Sequence, residues 1–268
     1  MQTRTLTALL PSLALGTTLL LASPAVTAAQ SPDFRWTGTV AAGKTIEIRG
    51  VNGNIAAEAA SGNTVEVTAV KHADDDDPAE VKIEVVETGN GVVVCAVYPT
   101  PRRSNRENQC GSGRDYQMNV NDNDVTVNFT VKVPRGVLLD ANTVNGSIKA
   151  SGLTADADLN TVNGGIDVTT TGLVEAQTVN GRITARIGRT DWSGTLGFKT
   201  VNGGISLTAP GDLSADLEAS AVNGGIDSDF PVTVNGRIDR THLRGRIGAG
   251  GRTLELETVN GGIEIKKG

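Results

Sequence analysis

Apolar and polar residues alternate with a period of two along much of this chain, which is the pattern of β-strands. Val-Asn-Gly-x-Ile interrupts the alternation eight times, at copies that begin at Val51, Val144, Val162, Val179, Val201, Val222, Val234 and Val259. Asn tolerates left-handed backbone conformations and Gly adopts them without steric cost, so Asn-Gly is a strong turn signal. The pattern predicts short strands joined by Asn-Gly turns.

The spacing of these turns predicts a stack of similar units. Most of the steps are 17 to 25 residues long, and the corners fall at Asn145, Asn163, Asn180, Asn202, Asn223 and Asn260. One such unit cannot bury its apolar side alone, whereas stacked units can. We therefore predict an all-β repeat protein, a β-solenoid-like stack of short strands with Asn-Gly corners.

A meander with Asn-Gly at each hairpin tip is the alternative architecture. Stacked coils are favoured because the parity of the apolar positions changes across Asn-Gly, as a bend between two inward-facing strands requires. Asparagines stacked at one corner could share side-chain hydrogen bonds, or they could serve only the turn dihedrals. For the glycines, we expect positive φ at Gly164 and Gly203.

The step of 12 residues to Asn235 is too short for a complete coil. We interpret Val234-Asn235-Gly236 as a turn inside one long unit that runs from Asn223 to Asn260.

Three regions are expected along the chain. Residues 1–28 have a positive start, an apolar run and small residues at a cleavage site, which predicts a signal peptide. Residues 29–136 form a less regular β region, with strands predicted at 45–49, 64–70, 81–86, 92–97 and 125–133. Residues 137–268 carry the regular repeats of the same folding unit, and no transmembrane segment is expected in the mature chain.

The only two cysteines, Cys95 and Cys110, flank a polar, turn-rich loop that contains Arg102, Arg103 and Arg106. Export to an oxidising compartment predicts a disulfide between them. A redox or metal pair is the rival interpretation, but the spacing is far from Cys-x-x-Cys and the chain has only two histidines.

The composition restricts the partners. The net charge of −6 disfavours nucleic acid and anionic membranes. Aromatic residues make up only 3% of the chain, whereas recognition of sugars and bases usually relies on aromatic platforms. Trp192 lies in an expanded turn and is a candidate contact residue, although a tryptophan in such a turn more often packs over the sheet. The three loop arginines are the other candidates for binding.

No cofactor, metal site or catalytic residue is expected. The acidic run 74–77 could bind calcium, but it lacks the calcium-loop pattern, and a solvated loop is the better interpretation. The position after each Ile forms a column of mixed chemistry, which consists of Lys149, Asp167, Thr184, Ser206, Asp227 and Glu264. Two acids on neighbouring coils could form a glycosidase pair, yet strand alternation alone also produces this column.

The repeats resemble a bacterial family of putative adhesins, a domain of unknown function built of β-strand repeats. The resemblance rests on Thr-Val-Asn-Gly-Gly-Ile after Val-Pro-Arg-Gly-Val at 133–137, on Asp229-Phe230-Pro231 and on the ending at 246–263. It covers the chain from about Phe34 onward and implies an exported, envelope-associated β-solenoid without established catalytic residues. The loop from Cys95 to Cys110 has no counterpart in the family pattern.

The sequence leaves two functional hypotheses. The first is an exported, non-catalytic scaffold that binds a protein or an envelope component in the periplasm, at the envelope or outside the cell. The second is a carbohydrate-active enzyme on a β-helix. Two carboxylates about 5–10 Å apart in a concave groove would favour the enzyme.

Overall fold

The computed structural model describes residues 33–234 and 241–268. The signal peptide predicted for residues 1–28 and the turn predicted at Asn235-Gly236 lie outside these residues. Within them, strands make up nearly all of the regular structure, which confirms the predicted all-β class. A helix with the length and apolarity to span a bilayer is absent from this part of the chain.

The described residues contain 21 strands and two short 3-10 helices, Pro78–Glu80 and Gly113–Asp115. The strands are β1 (Phe34–Gly38), β2 (Thr45–Arg49), β3 (Ile55–Ala59), β4 (Val65–His72), β5 (Lys82–Thr88), β6 (Gly91–Val97), β7 (Thr126–Val133), β8 (Leu138–Asn142), β9 (Ile148–Leu153), β10 (Ala157–Asn160), β11 (Ile166–Thr170), β12 (Val174–Gln177), β13 (Ile183–Arg186), β14 (Thr195–Lys199), β15 (Ile205–Ala209), β16 (Ala215–Asn223), β17 (Ile226–Ser228), β18 (Val232–Thr233), β19 (His242–Ile247), β20 (Thr253–Asn260) and β21 (Ile263–Lys267).

These strands form two sheets. Sheet A has the order β1-β4-β7-β3-β9-β11-β13-β15-β21-β17, and sheet B has the order β18-β19-β16-β20-β14-β12-β10-β8-β2-β6-β5. In the middle of each sheet, neighbouring strands are parallel. Each coil therefore gives one strand to sheet B, turns at Asn-Gly and gives the next strand to sheet A. A meander would pair consecutive strands antiparallel, so the prediction of stacked coils is confirmed.

Antiparallel strands end the stack on both sides. β4 pairs antiparallel with β1 and β7 in sheet A, and β5 does so with β6 in sheet B. At the other end of sheet B, β19 pairs antiparallel with β16 and β18.

The last coil of the chain is not the last coil of the stack. Stacking in chain order would place the coil of Asn223 beside the coil of Asn202. Instead β20 lies between β14 and β16, and β21 lies between β15 and β17. The C-terminal coil is thus inserted between two coils that precede it in sequence. The antiparallel excursion through β18 and β19 supplies the chain length that this insertion requires.

A single hydrophobic core contains side chains from both sheets. Sheet A contributes the isoleucine that follows each corner, such as Ile166, Ile183 and Ile205, and sheet B contributes Leu159 and Phe198, all at most 1% exposed. Alternation sends the intervening residues outward, as in β13, where buried and exposed positions alternate. Burying an aliphatic side chain of this size stabilises the fold by about 1.5–3 kcal/mol.

The corner asparagines form a ladder of side-chain hydrogen bonds. In each step the Nδ2 of one asparagine donates to the Oδ1 of the asparagine in the adjacent coil, over 2.7–2.8 Å. The spatial order is Asn52, Asn145, Asn163, Asn180, Asn202, Asn260 and Asn223. None of these asparagines has positive φ, so a need for left-handed turn dihedrals does not explain why asparagine occurs at the corners. The ladder satisfies amide groups that the stacking brings together.

The expectation of positive φ at Gly164 and Gly203 is wrong, since neither lies in the left-handed region. These positions require glycine because the backbones of neighbouring coils touch. A Cβ on Gly164 would lie 2.0 Å from the carbonyl oxygen of Gly146, and a Cβ on Gly203 would lie 1.9 Å from that of Gly181. Side chains do not tolerate such contacts, so only glycine fits.

The same glycine carbonyls accept hydrogen bonds from the threonine that precedes Val-Asn-Gly. Thr161 Oγ1 donates to Gly146 over 2.8 Å, and Thr178 Oγ1 donates to Gly164 over 2.9 Å. Thr143, Thr200 and Thr258 repeat this bond, and all five threonines are at most 6% exposed. Each residue of Thr-Val-Asn-Gly except the valine is therefore explained by contact with the neighbouring coil.

Adjacent glycines of one corner should respond differently to alanine. A Cβ at Gly224 would lie 1.9 Å from the carbonyl oxygen of Gly261, whereas a Cβ at Gly225 meets nothing within 4 Å. We expect Gly224→Ala to lower the free energy of unfolding by about 1–3 kcal/mol through overpacking. Gly225→Ala, the matched control, should leave it unchanged or raise it by up to about 1 kcal/mol. Urea unfolding measures both, and equal effects of the two substitutions would contradict the close-contact explanation.

Candidate functional site

A row of carboxylates crosses the outer face of sheet B. Glu47 is in register with Asp140 on the next strand, Asp140 with Asp158, and Asp158 with Glu175. We call these four residues the acid row. Since neighbouring strands lie about 4.8 Å apart, the row places like charges side by side, which is unfavourable for folding.

The acid row lies at a fixed position of the repeat. Six of the seven ladder asparagines are preceded, five residues upstream, by an acid, and the six acids are Glu47, Asp140, Asp158, Glu175, Glu218 and Glu255. The seventh copy has Gly197 there. The column is apparent in the sequence when the repeats are aligned on their asparagines, whereas alignment on the isoleucines gives the mixed column.

The burial of the row decreases along it. Glu47 is 5% exposed, Asp140 is half-buried, and Asp158 and Glu175 are exposed. Glu47 forms an ion pair with Arg49, whose guanidinium lies over the ring of Tyr116 at 4.6 Å from its centroid. The other three acids have no ion-pair partner within the described residues.

The segment that follows the disulfide loop covers the buried end of the row. Cys95 and Cys110 are bonded, with their Cα atoms 5.6 Å apart. This bond holds the start of the segment beside a small second core on the outer face of β6, in which Tyr116 and Met118 pack with Val93. The segment therefore shields this end of sheet B from water.

A groove with a volume of about 450 Å³ runs along the exposed part of the row. It is lined by Asp140, Asp158, Glu175 and Asp156 on the strand side and by Arg189 and Trp192 from the turn between β13 and β14. Asp156 is engaged, because it accepts from the backbone of Leu173 over 2.9 Å and from Arg189 over 3.4 Å. The three remaining carboxylates give the groove an excess of negative charge.

Electrostatics in the groove favour proton uptake. Burial raises the pKa of Asp140 to about 6, and the charges of Glu47 and Asp158 add to the effect, while a hydrogen bond from Asn142 and the charge of Arg49 oppose it. Burial also raises the pKa of Glu175, and Asp158 contributes. A cationic group in the groove would relieve the repulsion that adds to the effect of burial on these pKa values.

Trp192 forms part of the groove wall but is largely packed. It is 9% exposed, and its Nε1 donates to the carbonyl oxygen of Thr253 over 3.0 Å. Arg102, Arg103 and Arg106 are exposed on the disulfide loop and form no ion pair within the described part of the chain. The arginines are thus available to a partner, whereas Trp192 offers little surface.

The column on sheet A does not concentrate acids. Asp167 is in register with Lys149 on one side and Thr184 on the other. Asp227 and Glu264 are neighbours, but Glu264 forms an ion pair with Lys266 over 2.7 Å. The column is therefore chemically mixed on the folded sheet, as it is in the sequence.

The acidic run 74–77 wraps around one carboxylate. Asp124 accepts from the backbone N–H groups of Asp74, Asp75 and Asp76 over 2.8–3.1 Å. These bonds, with that to Asp75 the largest contribution, hold the pKa of Asp124 below its usual value. Across residues 33–234 and 241–268, no group of three or more His, Cys, Asp or Glu side chains is arranged to hold a metal ion.

Replacing Asp140 should give a pH-dependent gain in stability. Between the unfolded pKa of about 3.9 and the folded pKa of about 6, the folded state holds a proton that the unfolded state has released. The wild type therefore loses stability as pH rises through this window. We expect Asp140→Asn to exceed the wild type in free energy of unfolding by about 1–3 kcal/mol near pH 7.5, and this gain should shrink as pH falls toward 4.

Urea unfolding at several pH values measures this difference, and Asp167→Asn on sheet A serves as the control. A gain in Asp140→Asn that does not change with pH would contradict the raised pKa that burial and neighbouring charges give Asp140.

Two solved structures with similarity to the chain are described as a putative cell adhesion protein from Clostridium sporogenes and a putative adhesin from Bacteroides fragilis. The first has 11% identity and a TM-score of 0.44, with 89% of this chain and 100% of that chain covered. The second has 12% identity and a TM-score of 0.30, with 87% and 96% covered.

A comparison with curated proteins found no match. The sequence model of one family, Toastrack DUF4097, matches residues 44–266, which include the repeats, the acid row and every strand that follows β1, the last of them up to residue 266. The chain therefore belongs to the Toastrack DUF4097 family.

Proposed function

We propose that this chain is an exported, non-catalytic protein that binds a protein or an envelope component at the cell envelope or cell surface. The main support is the contrast between its scaffold and its outer faces. The asparagine ladder, the threonine hydrogen bonds and the core satisfy the inward and corner groups, whereas three carboxylates in the groove on sheet B form no ion pair within the described residues. Unfavourable groups of this kind are typical of binding sites.

Two features support export. The bond between Cys95 and Cys110 is of a kind that persists in oxidising compartments. Residues 1–28 have the composition of a signal peptide. The periplasm, the envelope and the cell exterior all meet these requirements.

A binding role agrees better with the described side chains than glycoside hydrolysis does. On sheet A, Asp167 lacks a second acid on either neighbouring strand, and Glu264 beside Asp227 is paired with Lys266. The acid row does place carboxylates on adjacent strands along a groove, which is the arrangement that a glycosidase needs. The groove lacks an exposed aromatic platform for a sugar, because Trp192 is 9% exposed. The ligand is therefore a protein or envelope component that is held by charged edges and loops.

Two sets of residues are the proposed contacts. The first is the exposed arginines of the disulfide loop, Arg102, Arg103 and Arg106. The second is the groove, with Asp158 and Glu175 as its accessible carboxylates and Trp192 as its wall. The two sets have opposite charge, so variants can tell which of them a ligand uses.

The test is retention of envelope material by the immobilised, oxidised chain. We expect a loss of at least about fivefold, or about 1 kcal/mol, in either Arg102→Ala/Arg103→Ala/Arg106→Ala or Asp158→Asn/Glu175→Gln. Asp167→Asn/Glu264→Gln removes two negative charges from sheet A, as Asp158→Asn/Glu175→Gln does from sheet B, and it should retain binding. Trp192→Phe keeps a packed ring and tests the wall.

Two results would contradict the proposal. One is that the wild type and all the variants retain envelope material equally, or that all of them retain it only at background level. The other is turnover of a polysaccharide by the purified chain that is abolished when one acid of the groove or of the Asp167 column is removed.

A further inference from the structure

The valine of Thr-Val-Asn-Gly is the one residue of the repeat that contact between coils does not explain. It points outward, and six copies are 38–52% exposed: Val144, Val162, Val179, Val201, Val222 and Val259. Backbone hydrogen bonds connect these positions between adjacent coils, as from Val179 N to Val162 O over 3.3 Å. The six side chains therefore form a line beside the asparagine ladder, which we call the valine ridge. At about 4.8 Å per strand, it is about 24 Å long.

The corner itself does not require an apolar residue at this position. Threonine has the same branched shape and would place a hydroxyl in water. The neighbouring outward position, three residues before the asparagine, varies freely among Arg49, Asn142, Asn160, Gln177, Lys199, Glu257 and Ser220. Val51 packs against the core, but the other six copies keep valine although 38–52% of it is exposed, which the fold of a single chain does not explain. Exposed apolar patches of a few hundred Å² are typical of interaction sites.

The ridge and the columns beside it are mostly uncharged, although the chain as a whole is acidic. The valine and asparagine columns carry no charge, and Asn142, Asn160 and Gln177 continue the neutral strip on the other side. Lys199 and Glu257 lie next to it and pair with each other over 3.3 Å. Two copies with a net charge of −6 each can approach here without placing their acid rows together.

A second copy of the chain fits the ridge better than an unrelated partner. A shallow groove of about 630 Å³ runs beside it, lined by Val179, Val201, Val222 and Val259 together with Gln177 and Lys199. Another solenoid of the same strand spacing can place its own ridge in this groove at every step. In a two-fold arrangement, each ridge lies in the groove of the other copy.

The available area is that of a stable dimer. Exposed valines contribute roughly 60 Å² each, or roughly 350 Å² in total, which is a typical functional patch. The polar columns on both sides roughly double this to about 700–800 Å² per copy, and a standard interface buries about 800 Å² per partner. We propose that the valine ridge is the interface of a homodimer in which two copies pack around a two-fold axis.

Sedimentation velocity of the oxidised chain from about 1 to 100 μM tests this interface. The wild type should be dimeric at the upper concentrations. Val162→Lys/Val179→Lys should raise the dissociation constant at least about tenfold, because it places four lysines in the contact. Thr184→Lys is the matched control, since it adds a lysine to the outer face of sheet A on the same coil as Val179, and it should leave the dimer intact.

Val162→Thr/Val179→Thr keeps the branched shape of the side chains. It tests the dimer interface if a thermal melt shows that the lysine variant is unfolded. It should weaken the dimer by about threefold or more. A wild type that stays monomeric up to about 100 μM would overturn the proposal. So would a dimer that both ridge variants leave unchanged.

Discussion

Contact between the backbones of neighbouring coils at the Asn-Gly corner is the constraint on which the rest of this structure depends. The carbonyl oxygen of Gly164 lies where a Cβ of Gly181 would be, and the same oxygen accepts from Thr178. The corner therefore needs glycine at one position and a buried hydroxyl two residues before the asparagine. The asparagine ladder then follows, because stacked amides 4.8 Å apart are within hydrogen-bonding reach. Repetition of the threonine, the asparagine and the glycine is a consequence of this packing.

Once the corners and the core are fixed, the outward positions can vary without disturbing the fold. On sheet A the outward positions carry a mixed column, in which Asp167 lies between Lys149 and Thr184. On sheet B they carry the acid row, where burial and neighbouring charges raise the pKa of Asp140 to about 6. The valine ridge lies between these outer surfaces and the corner. The proposed binding and association surfaces thus fall on columns that the scaffold does not constrain.

The sequence was sufficient to predict the repeat architecture, because strand alternation and Asn-Gly turns are local signals. The strands at 45–49 and 92–97 agree with the structure to within one residue. The order of the coils was not predictable, since placing β20 between β14 and β16 depends on pairing between residues that are distant in the chain. The role of Gly164 was also missed, because a close contact between coils has the same sequence signal as a left-handed turn.

The site was only partly predictable for a similar reason. Arg103 could be placed on an exposed loop from its polar neighbours and the two cysteines. The packing of Trp192 depends on Thr253, which lies 61 residues away. The acid row is visible in the sequence because an acid stands five residues before six of the seven ladder asparagines. Its repulsion becomes apparent only when parallel register places Asp140 beside Asp158.

Hydrogen exchange at the corner amides tests the central role of this contact most directly. The N–H groups of Gly164, Gly181 and Gly203 each donate to the asparagine carbonyl of the adjacent coil over 3.0 Å. If the corners hold the stack together, these amides exchange only when the stack opens. Their protection should then equal that of Ile183 and Ile205 in the core strands. Exchange of the corner glycines as fast as that of the exposed loop residue Gly113, with the core strands still protected, would contradict the account.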